Sequence, residues 1–198
     1  MMKLHIGCFN QPQEGWHNTD ITPHIYISRI PLAARLLRAV GKITEERFQE
    51  HKAGVFRKVH YLDVAKTFPY SSGSASAVFS SHIIEHISID GARAMLKESL
   101  RILAPGGICR VVAPSLEWAF SFYDEAAPER TLSIIFEHEQ TGKNRHQWMY
   151  TAKSLIRTME EVGFNKVRQC QYREGALPDL NLIDNRPENS IYVEGTKT

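Results

Sequence analysis

A chain of 198 residues is the size of one ordinary domain, and at this length folding buries roughly 70% of the unfolded surface. Apolar residues make up 42% of the sequence and charged residues 23%, which excludes the disordered, collagen-like and low-complexity classes. The formal net charge of +2 provides no overall attraction to nucleic acid or to an anionic membrane. Any basic surface must therefore be local.

Cysteine usage and the N-terminal residues bear on the compartment. Cys8, Cys109 and Cys170 are odd in number and form no CxxC pair, so a reducing compartment is the simplest interpretation. Residues 1–7 lack the apolar core of a secretory signal, and no apolar stretch of about 18 residues occurs in the chain. We expect a cytoplasmic protein.

The first third of the chain predicts two short strands and then two helices. Strands are predicted at 3–6 and 16–21, separated by a loop. Apolar residues at three- and four-residue steps predict an amphipathic helix over 27–41, with Pro31 in its first turn. Thr44 is the predicted N-cap of a second helix, which ends before Gly54.

The remaining sequence alternates strands with helices. A helix is predicted to start at Ser88 or Asp90 and to stop at the Pro-Gly-Gly tripeptide 105–107, and another runs from a Thr151 cap to Gly163. Further strands are predicted at 59–64, 77–81, 108–113, 167–172 and 191–196.

This alternation predicts an α/β fold: a Rossmann-like, doubly wound, mostly parallel seven-stranded sheet. No helix is evident between residues 172 and 191, so the last strand should be antiparallel. We expect one domain over 1–198 with a helical insertion at about 25–57. Ligands of such sheets bind beyond the carboxyl ends of the strands.

Several segments resemble class I S-adenosylmethionine-dependent methyltransferases, and among them the small bacterial type 11-like branch. They read LHIGC at 4–8, GWHNTDI at 15–21, VFSSHIIEHI at 78–87, RILAPGG at 101–107, HQW at 146–148 and NSIYVEGTK at 189–197. The order and spacing of these segments carry the likeness. The resemblance implies that S-adenosylmethionine is the cofactor and methyl donor.

The resemblance also implies a cofactor site at successive strand ends. A glycine after the first strand lets backbone amides approach a ligand closely. The carboxylate of Asp20 would accept hydrogen bonds from the ribose hydroxyls, Asp63 would contact the adenine amino group, and Ile83 would pack on the adenine face. The cofactor residues implied are Gly7, Cys8, Asp20, Asp63, Val64, Ser81, His82 and Ile83.

Each of these residues also has a purely structural interpretation. A single glycine after a strand is commonly a turn, and aspartates at strand ends often bond their own backbone. Phe9 stands where the family's G-x-G turn has its second glycine, and Ser76 stands where an aspartate usually precedes the fourth strand. These departures leave open a methyltransferase-like interaction module that is catalytically silent and binds the cofactor weakly or not at all.

Three histidines are candidates for a general base. Methyl transfer requires chiefly positioning, and a base only when the acceptor must lose a proton. Imidazole titrates close to neutral pH, and the candidates are His146, in a polar loop following residue 140, then His82 and His86. The alternative for His146 is packing on Trp148.

The residues His82, Glu85 and His86 also match H-x-x-E-H, an inverted zinc-protease signature. That motif belongs inside a long helix, whereas here it follows a strand directly. We therefore predict no metal site, and a zinc hydrolase is the remote alternative.

The acceptor is the least specified part of the prediction. Because the net charge is small and no base-stacking motif is present, we expect no nucleic-acid partner. A small-molecule or glycan-type acceptor fits the aromatic residues Trp118, Phe120, Phe122 and Tyr123, which would form a pocket wall or belong to the core. The basic segment 27–42 would cover the cofactor or contact a membrane surface peripherally.

Overall fold

One twisted sheet organises the molecule, for which a computed structural model describes residues 1–136 and 145–198. In that part of the chain the strands are β1 Met2–Ile6, β2 His17–Asp20, β3 Val59–Tyr61, β4 Ala75–Ser81, β5 Leu103–Pro114, β6 Asn165–Cys170 and β7 Ser190–Thr196. Their spatial order is β3-β2-β1-β4-β5-β7-β6. The predicted doubly wound, mostly parallel α/β sheet is confirmed.

β7 runs against its neighbours, as the sequence predicts for the last strand. It lies between β5 and β6 and is antiparallel to both. β1 to β5 pair in parallel. The N-terminal end of β7 therefore lies at the carboxyl edge of the parallel strands, where Pro114 pairs with Ser190.

Helices cover both faces of the sheet. They are α1 His24–Ile27, α2 Ala33–Ala39, α3 Glu45–Lys52, α4 Ile89–Ile102, α5 Leu116–Phe120, α6 Glu129–Phe136, α7 Ala152–Val162 and α8 Leu180–Ile183. Hydroxyl side chains cap four of them: Thr44 accepts from Arg47 N, Ser88 from Gly91 N, Ser115 from Trp118 N and Thr151 from Ser154 N. The Thr44 and Thr151 predictions are confirmed, and Ser88 rather than Asp90 caps α4.

Two apolar layers sandwich the sheet. Adjacent residues of a strand point to opposite faces, so Val78 packs with α4 and α7 while Phe79 packs with Trp16 and the β6–β7 connection. Burying each such side chain stabilises the fold by about 1.5–3 kcal/mol. The carboxyl edge of the parallel strands is therefore formed by strands that are packed on both faces.

The predicted helix over 27–41 is wrong. The structure has two shorter helices, α1 and α2, and between them Leu32 adopts a left-handed backbone with φ +64°. Pro31 explains the break, because it lacks an N–H and disfavours helical geometry at the residue before it. α2 buries none of its residues, so the expected apolar face is not packed against the core.

Three other boundaries differ from the prediction. The Pro-Gly-Gly tripeptide lies inside β5 rather than in a turn, because Gly106 N donates to Lys197 O and Lys197 N donates to Gly107 O. β3 ends at Tyr61, so Asp63 follows the strand instead of ending it. The short helix α8 occupies part of the β6–β7 connection, which was predicted to lack one.

No helix in the described ranges is both long enough and apolar enough to cross a membrane.

Candidate functional site

The strand register brings residues from distant parts of the sequence to one edge. Ile6 is opposite Thr19 on β2 and Ser80 on β4, so the next residues lie side by side at the carboxyl edge. Gly7 lies just beyond β1, and Asp20 and Ser81 are the last residues of β2 and β4. No helix intervenes between β1 and β2, and Gly7 N and Cys8 N both donate to Thr19 O, at 2.8 and 3.0 Å. This edge is where ligands bind in open α/β sheets.

Gly7 has the geometry that its residue type uniquely permits. Its φ is +72°, a left-handed backbone that other residues adopt only at a cost. A Cβ added there would overlap the side chain of Ile83, which approaches from the loop after β4. Glycine at position 7 therefore leaves room for the Ile83 side chain, which packs directly against the loop after β1.

Asp20 organises the turn around this edge. Its carboxylate accepts hydrogen bonds from Phe9 N at 3.0 Å and from Thr22 N at 2.8 Å. Burial raises the pKa of Asp20, while these backbone donors oppose the rise. Each carboxylate oxygen has two lone pairs, so the group can accept further hydrogen bonds from ligand hydroxyls.

Phe9 is held by the helical segment that precedes β3. It has φ +45°, the conformation that a second glycine would adopt easily. Its ring lies 4.4 Å from the Arg47 guanidinium carbon and packs against His24 and Phe56. The departure from a G-x-G turn is therefore accommodated by contacts with residues 24–56.

The other predicted cofactor residues occupy the same edge or its neighbours. Asp63 accepts from Ala65 N at 3.0 Å and pairs with Lys66 at 3.4 Å, while Val64 packs against the main core. Burial, reinforced by the charge of Asp20, raises the pKa of the Cys8 thiol to about 12. Cys8 is therefore a neutral, buried packing residue and not a nucleophile.

A cavity of about 380 Å³ opens on the other side of β4, and we call it the acceptor cavity. Its walls come from the ends of β4, β5 and β7, from α6 and from the segment before α7. It is lined by His82, His86, Pro114, Ser115, Trp118, Ile134, His146, Met149, Arg186 and Asn189.

All three predicted catalytic histidines line the acceptor cavity. The rings of His86 and His146 lie 5.1 Å apart, and His82 Nε2 is 3.0 Å from Ser190 Oγ. Burial, together with the charges of the nearby Arg186, His146 and His86, lowers the pKa of His82 to about 4. His82 is therefore neutral at physiological pH and a weak base. The polar loop proposed to carry His146 lies, over 140–144, outside the described residues.

Arg186 and Asn189 are cavity residues that the sequence analysis missed. They precede β7, and since β7 is antiparallel, the residues before it reach the same edge as the residues after β4 and β5. Ser115 N donates to Asn189 O at 2.8 Å, which fixes this connection to β5. The antiparallel strand, itself predicted from the sequence, was the signal that could have found them.

The structure also shows which residues of the aromatic cluster line the cavity and whether the H-x-x-E-H motif lies inside a helix. Trp118 lines the cavity, with Phe122 edge-on to it at 4.8 Å, whereas Phe120 and Tyr123 are exposed. The motif lies on the loop after β4 and a single 3₁₀ turn, Ile84–His86, not inside a long helix. This arrangement does not match that of an inverted zinc protease.

A comparison with protein families identifies this architecture. Residues 20–169 match the model of a methyltransferase domain family. No curated protein matches the sequence significantly.

Solved structures share the fold at low sequence identity. A SAM-dependent methyltransferase of Thermotoga maritima, described as a possible histamine N-methyltransferase, is 16% identical with a TM-score of 0.57, covering 100% of this chain and 82% of its own. PigF with SAH is 12% identical with a TM-score of 0.52, and an O-methyltransferase family protein of Burkholderia thailandensis is 10% identical with a TM-score of 0.51. This chain is covered completely in both, and spans 50% and 51% of those proteins.

The family match covers most of the chain, and the strand order and site edge agree with it. A glycine turn beside a carboxylate at adjacent strand ends is chemically suited to a nucleoside cofactor, which here is S-adenosylmethionine. The chain belongs to the methyltransferase-domain family and is a class I S-adenosylmethionine-dependent methyltransferase.

Proposed function

We propose that this enzyme methylates an oxygen or nitrogen of a small-molecule or glycan-type acceptor bound in the acceptor cavity. The observation that carries the proposal is the meeting of two groups of residues at the end of β4. Gly7 and Asp20 lie on the β1 side of Ser81. The cavity lies on the β5 side, and its lining begins with His82, the residue after Ser81, and Pro114, the last residue of β5. Donor and acceptor sites are therefore adjacent.

On the donor side, we propose that Gly7, Cys8 and Ser81 border the cofactor through the loops after β1 and β4. Asp20 would hold the ribose hydroxyls, and Asp63 with Val64 would flank the adenine, next to Ile83. The left-handed turn at Gly7, the packing of Ile83 against it and the acceptor capacity of the Asp20 carboxylate support this assignment. When bound, the cofactor supplies a methyl group activated by its sulfonium sulfur.

On the acceptor side, the chain contributes positioning and a destination for the proton. The walls of the cavity would orient the acceptor atom toward the end of β4, which is the larger part of catalysis for such a transfer. If the acceptor atom carries a proton, an imidazole takes it. His146 and His86 are better suited than His82, whose lowered pKa makes it a poor base.

The chemistry of the cavity supports a compact organic acceptor. A neighbouring hollow of about 300 Å³ shares His146 and Met149 with it, and its remaining walls are largely apolar: Leu116, Ile135, Phe136, Gln147 and Trp148. Small-molecule sites combine such apolar walls with a few polar groups. The small net charge disfavours a nucleic-acid substrate. Free cysteines within the described ranges fit the proposed cytoplasmic location.

The test is a methylation screen of metabolite and oligosaccharide extracts with radiolabelled S-adenosylmethionine, paired with calorimetry using S-adenosylhomocysteine. We expect the variant D20A to weaken S-adenosylhomocysteine binding about 10- to 100-fold, the equivalent of one or two charge-assisted hydrogen bonds. D90A is the matched control, because the Asp90 carboxylate, in the first turn of α4, is 98% exposed. Equal affinity in the two variants would contradict the donor-site assignment.

We also propose that the basic segment 27–42 contacts an anionic lipid surface. The contacts that hold Phe9 come from His24, Arg47 and Phe56, on either side of this segment. Four of its apolar side chains, Ile30, Leu32, Leu36 and Val40, are at least 60% exposed, and basic side chains stand among them. That combination suits adsorption to anionic headgroups. Wild-type protein should co-sediment with phosphatidylglycerol vesicles and not with phosphatidylcholine vesicles. The L36E substitution should abolish co-sedimentation with the phosphatidylglycerol vesicles. Equal sedimentation of L36E would refute the contact.

A further inference from the structure

Glu85, His86 and His146 form a compact group of potential metal ligands in the wall of the acceptor cavity. One ligand atom from each residue can be chosen so that all three lie within 4.8 Å of one another. The first two stand on the 3₁₀ turn after β4, and the third precedes α7. The sequence motif H-x-x-E-H pointed to this turn, but the structure places His146 in the group in addition to the motif's own residues.

Backbone hydrogen bonds join the two segments independently of any ligand. Glu85 O accepts from Gln147 N at 2.7 Å and from Trp148 N at 3.2 Å, and Gln147 Nε2 donates to His86 O at 2.7 Å. The three side chains are therefore brought together by the fold itself. Such a preformed arrangement lowers the conformational cost of binding an ion.

The hydrogen bonds of the two imidazoles define which nitrogen carries the lone pair. His86 Nδ1 faces Arg145 O at 3.4 Å, and His146 Nδ1 faces Ile135 O at 3.1 Å. A carbonyl oxygen can only accept, so each ring donates from Nδ1 and carries its lone pair on Nε2. Metal-binding histidines are usually oriented in this way by a partner on the other ring nitrogen.

The carboxylate completes the donor set from the protein interior. The Glu85 side chain is fully buried, and its Oε1 lies 3.9 Å from His86 Nε2 and 3.4 Å from His82 Nδ1. A cation at this position would lie next to the buried carboxylate, and their Coulomb attraction favours binding. His82 borders the group, with its Nδ1 facing Glu85 and its Nε2 3.0 Å from Ser190 Oγ.

We propose that Glu85, His86 and His146 bind one divalent transition-metal ion, for which Zn²⁺ is the best match. Two imidazole nitrogens and one carboxylate oxygen suit Zn²⁺ and its neighbours in the first transition row, and not Mg²⁺ or Ca²⁺. Three protein ligands leave a coordination position for a substrate atom. Since His86 and His146 line the acceptor cavity, that position opens toward the acceptor.

The catalytic part of this inference rests on the proposed function. The ion would polarise an acceptor hydroxyl and lower its pKa, so that the oxygen gives its proton to water and forms a bond to the methyl carbon. The bond from that carbon to the sulfonium sulfur breaks, and S-adenosylhomocysteine leaves as a neutral thioether. His86 and His146 then act as ligands and not as bases. The acceptor class narrows accordingly to hydroxyl compounds that can coordinate a metal.

The test is metal binding by tag-free protein stripped with a chelator, measured by Co²⁺ absorption spectroscopy and Zn²⁺ calorimetry. We expect one equivalent to bind to the wild type, and H86A and H146A each to weaken binding by more than about 100-fold, since even outer-shell partners contribute 10- to 100-fold. H60A is the control on an exposed ring that stacks on His17. H51A tests the competing His24–His51 pair, whose nitrogens are 2.9 Å apart.

Circular dichroism and S-adenosylhomocysteine affinity verify that each variant is folded. Absence of stoichiometric binding in the wild type, or binding that survives in H86A and H146A but is lost in H51A, would overturn the site. In that event methyl transfer with His146 as the base could still be observed in the labelled screen. If instead the ion binds as expected and no acceptor is methylated, the metal site stands and the proposed function fails.

Discussion

Replacing Arg110 with methionine should lower the free energy of unfolding by about 3–5 kcal/mol, the range for breaking a buried ion pair by removing one partner. Arg110 is fully buried on β5. Its guanidinium donates to both carboxylate oxygens of Asp184 and, at 2.9 Å, to Glu194 Oε1. It also donates to the carbonyl oxygens of Glu174 and Gln171 at 3.1 and 3.0 Å.

The size of this effect follows from what is left behind. Methionine fills a similar volume, so packing changes little, but Asp184 and Glu194 remain buried without their cation. Backbone donors remain, because Arg173 N bonds Asp184 and Ala176 N bonds Glu194, and they limit the loss. Lysine should recover only part of it, since an ammonium cannot reproduce the planar fork of donors.

The assay is urea denaturation followed by circular dichroism at pH 7. R157M is the matched control: its guanidinium is 74% exposed and lies 3.8 Å from Glu161, so its loss should be within about 1 kcal/mol. The connection that Arg110 anchors also carries Arg186, so R110M should weaken acceptor binding more than cofactor binding. A destabilisation of R110M no larger than that of R157M would refute this reasoning.

Three further changes test the site and the pH dependence. G7A should weaken S-adenosylhomocysteine binding in calorimetry, because the added Cβ clashes with Ile83 and the left-handed backbone adds a strain of roughly 1–2 kcal/mol. G41A is the control: its φ is +69° and the space around it is open, so it should have the backbone strain without a clash. Equal S-adenosylhomocysteine affinities of G7A and G41A would contradict this prediction. Burial lowers the pKa of His5 to about 4, so the stability that the neutral His5 contributes is complete above pH 6.5 and is lost as the pH falls toward 4. The free energy of unfolding, measured by denaturation, should therefore fall between pH 7 and pH 5 by about 2 kcal/mol less in H5Q than in the wild type. An equal fall in both proteins would contradict this prediction. H146A should slow methyl transfer about 10²- to 10⁴-fold with S-adenosylhomocysteine affinity unchanged, and normal turnover would assign His146 to packing.

Patterns that are local in sequence predicted most of the fold. Ser88 and Thr151 mark helix starts through hydrogen bonds to residues only three positions away, so the sequence contains all the needed information. The prediction of one helix over 27–41 was wrong because Pro31 interrupts the helix, although the apolar residues there do recur at helical spacing. The early start of β5 could not be predicted, since it depends on pairing between Gly106 and Lys197, at the other end of the chain.

The two halves of the candidate site differed in how far the sequence could predict them. Gly7 and Asp20 follow strands, and the parallel alternation alone places such residues at one edge. The proximity of His86 and His146 depends instead on hydrogen bonds between segments about 60 residues apart, such as the one that the side-chain amide of Gln147 donates to His86 O. No periodicity or motif encodes these bonds, so the cluster required the structure.

The division of the site at β4 has a consequence for how this fold can change its acceptor. The donor side depends on short turns after β1 and β2 whose backbone geometry is demanding, as the φ of +72° at Gly7 and the two backbone bonds to Asp20 indicate. The acceptor side is built from longer connections before α7 and β7, which contribute His146, Arg186 and Asn189 through side chains. Connections tolerate substitution better than strained turns. Acceptor specificity can therefore vary in this architecture while the cofactor edge stays fixed.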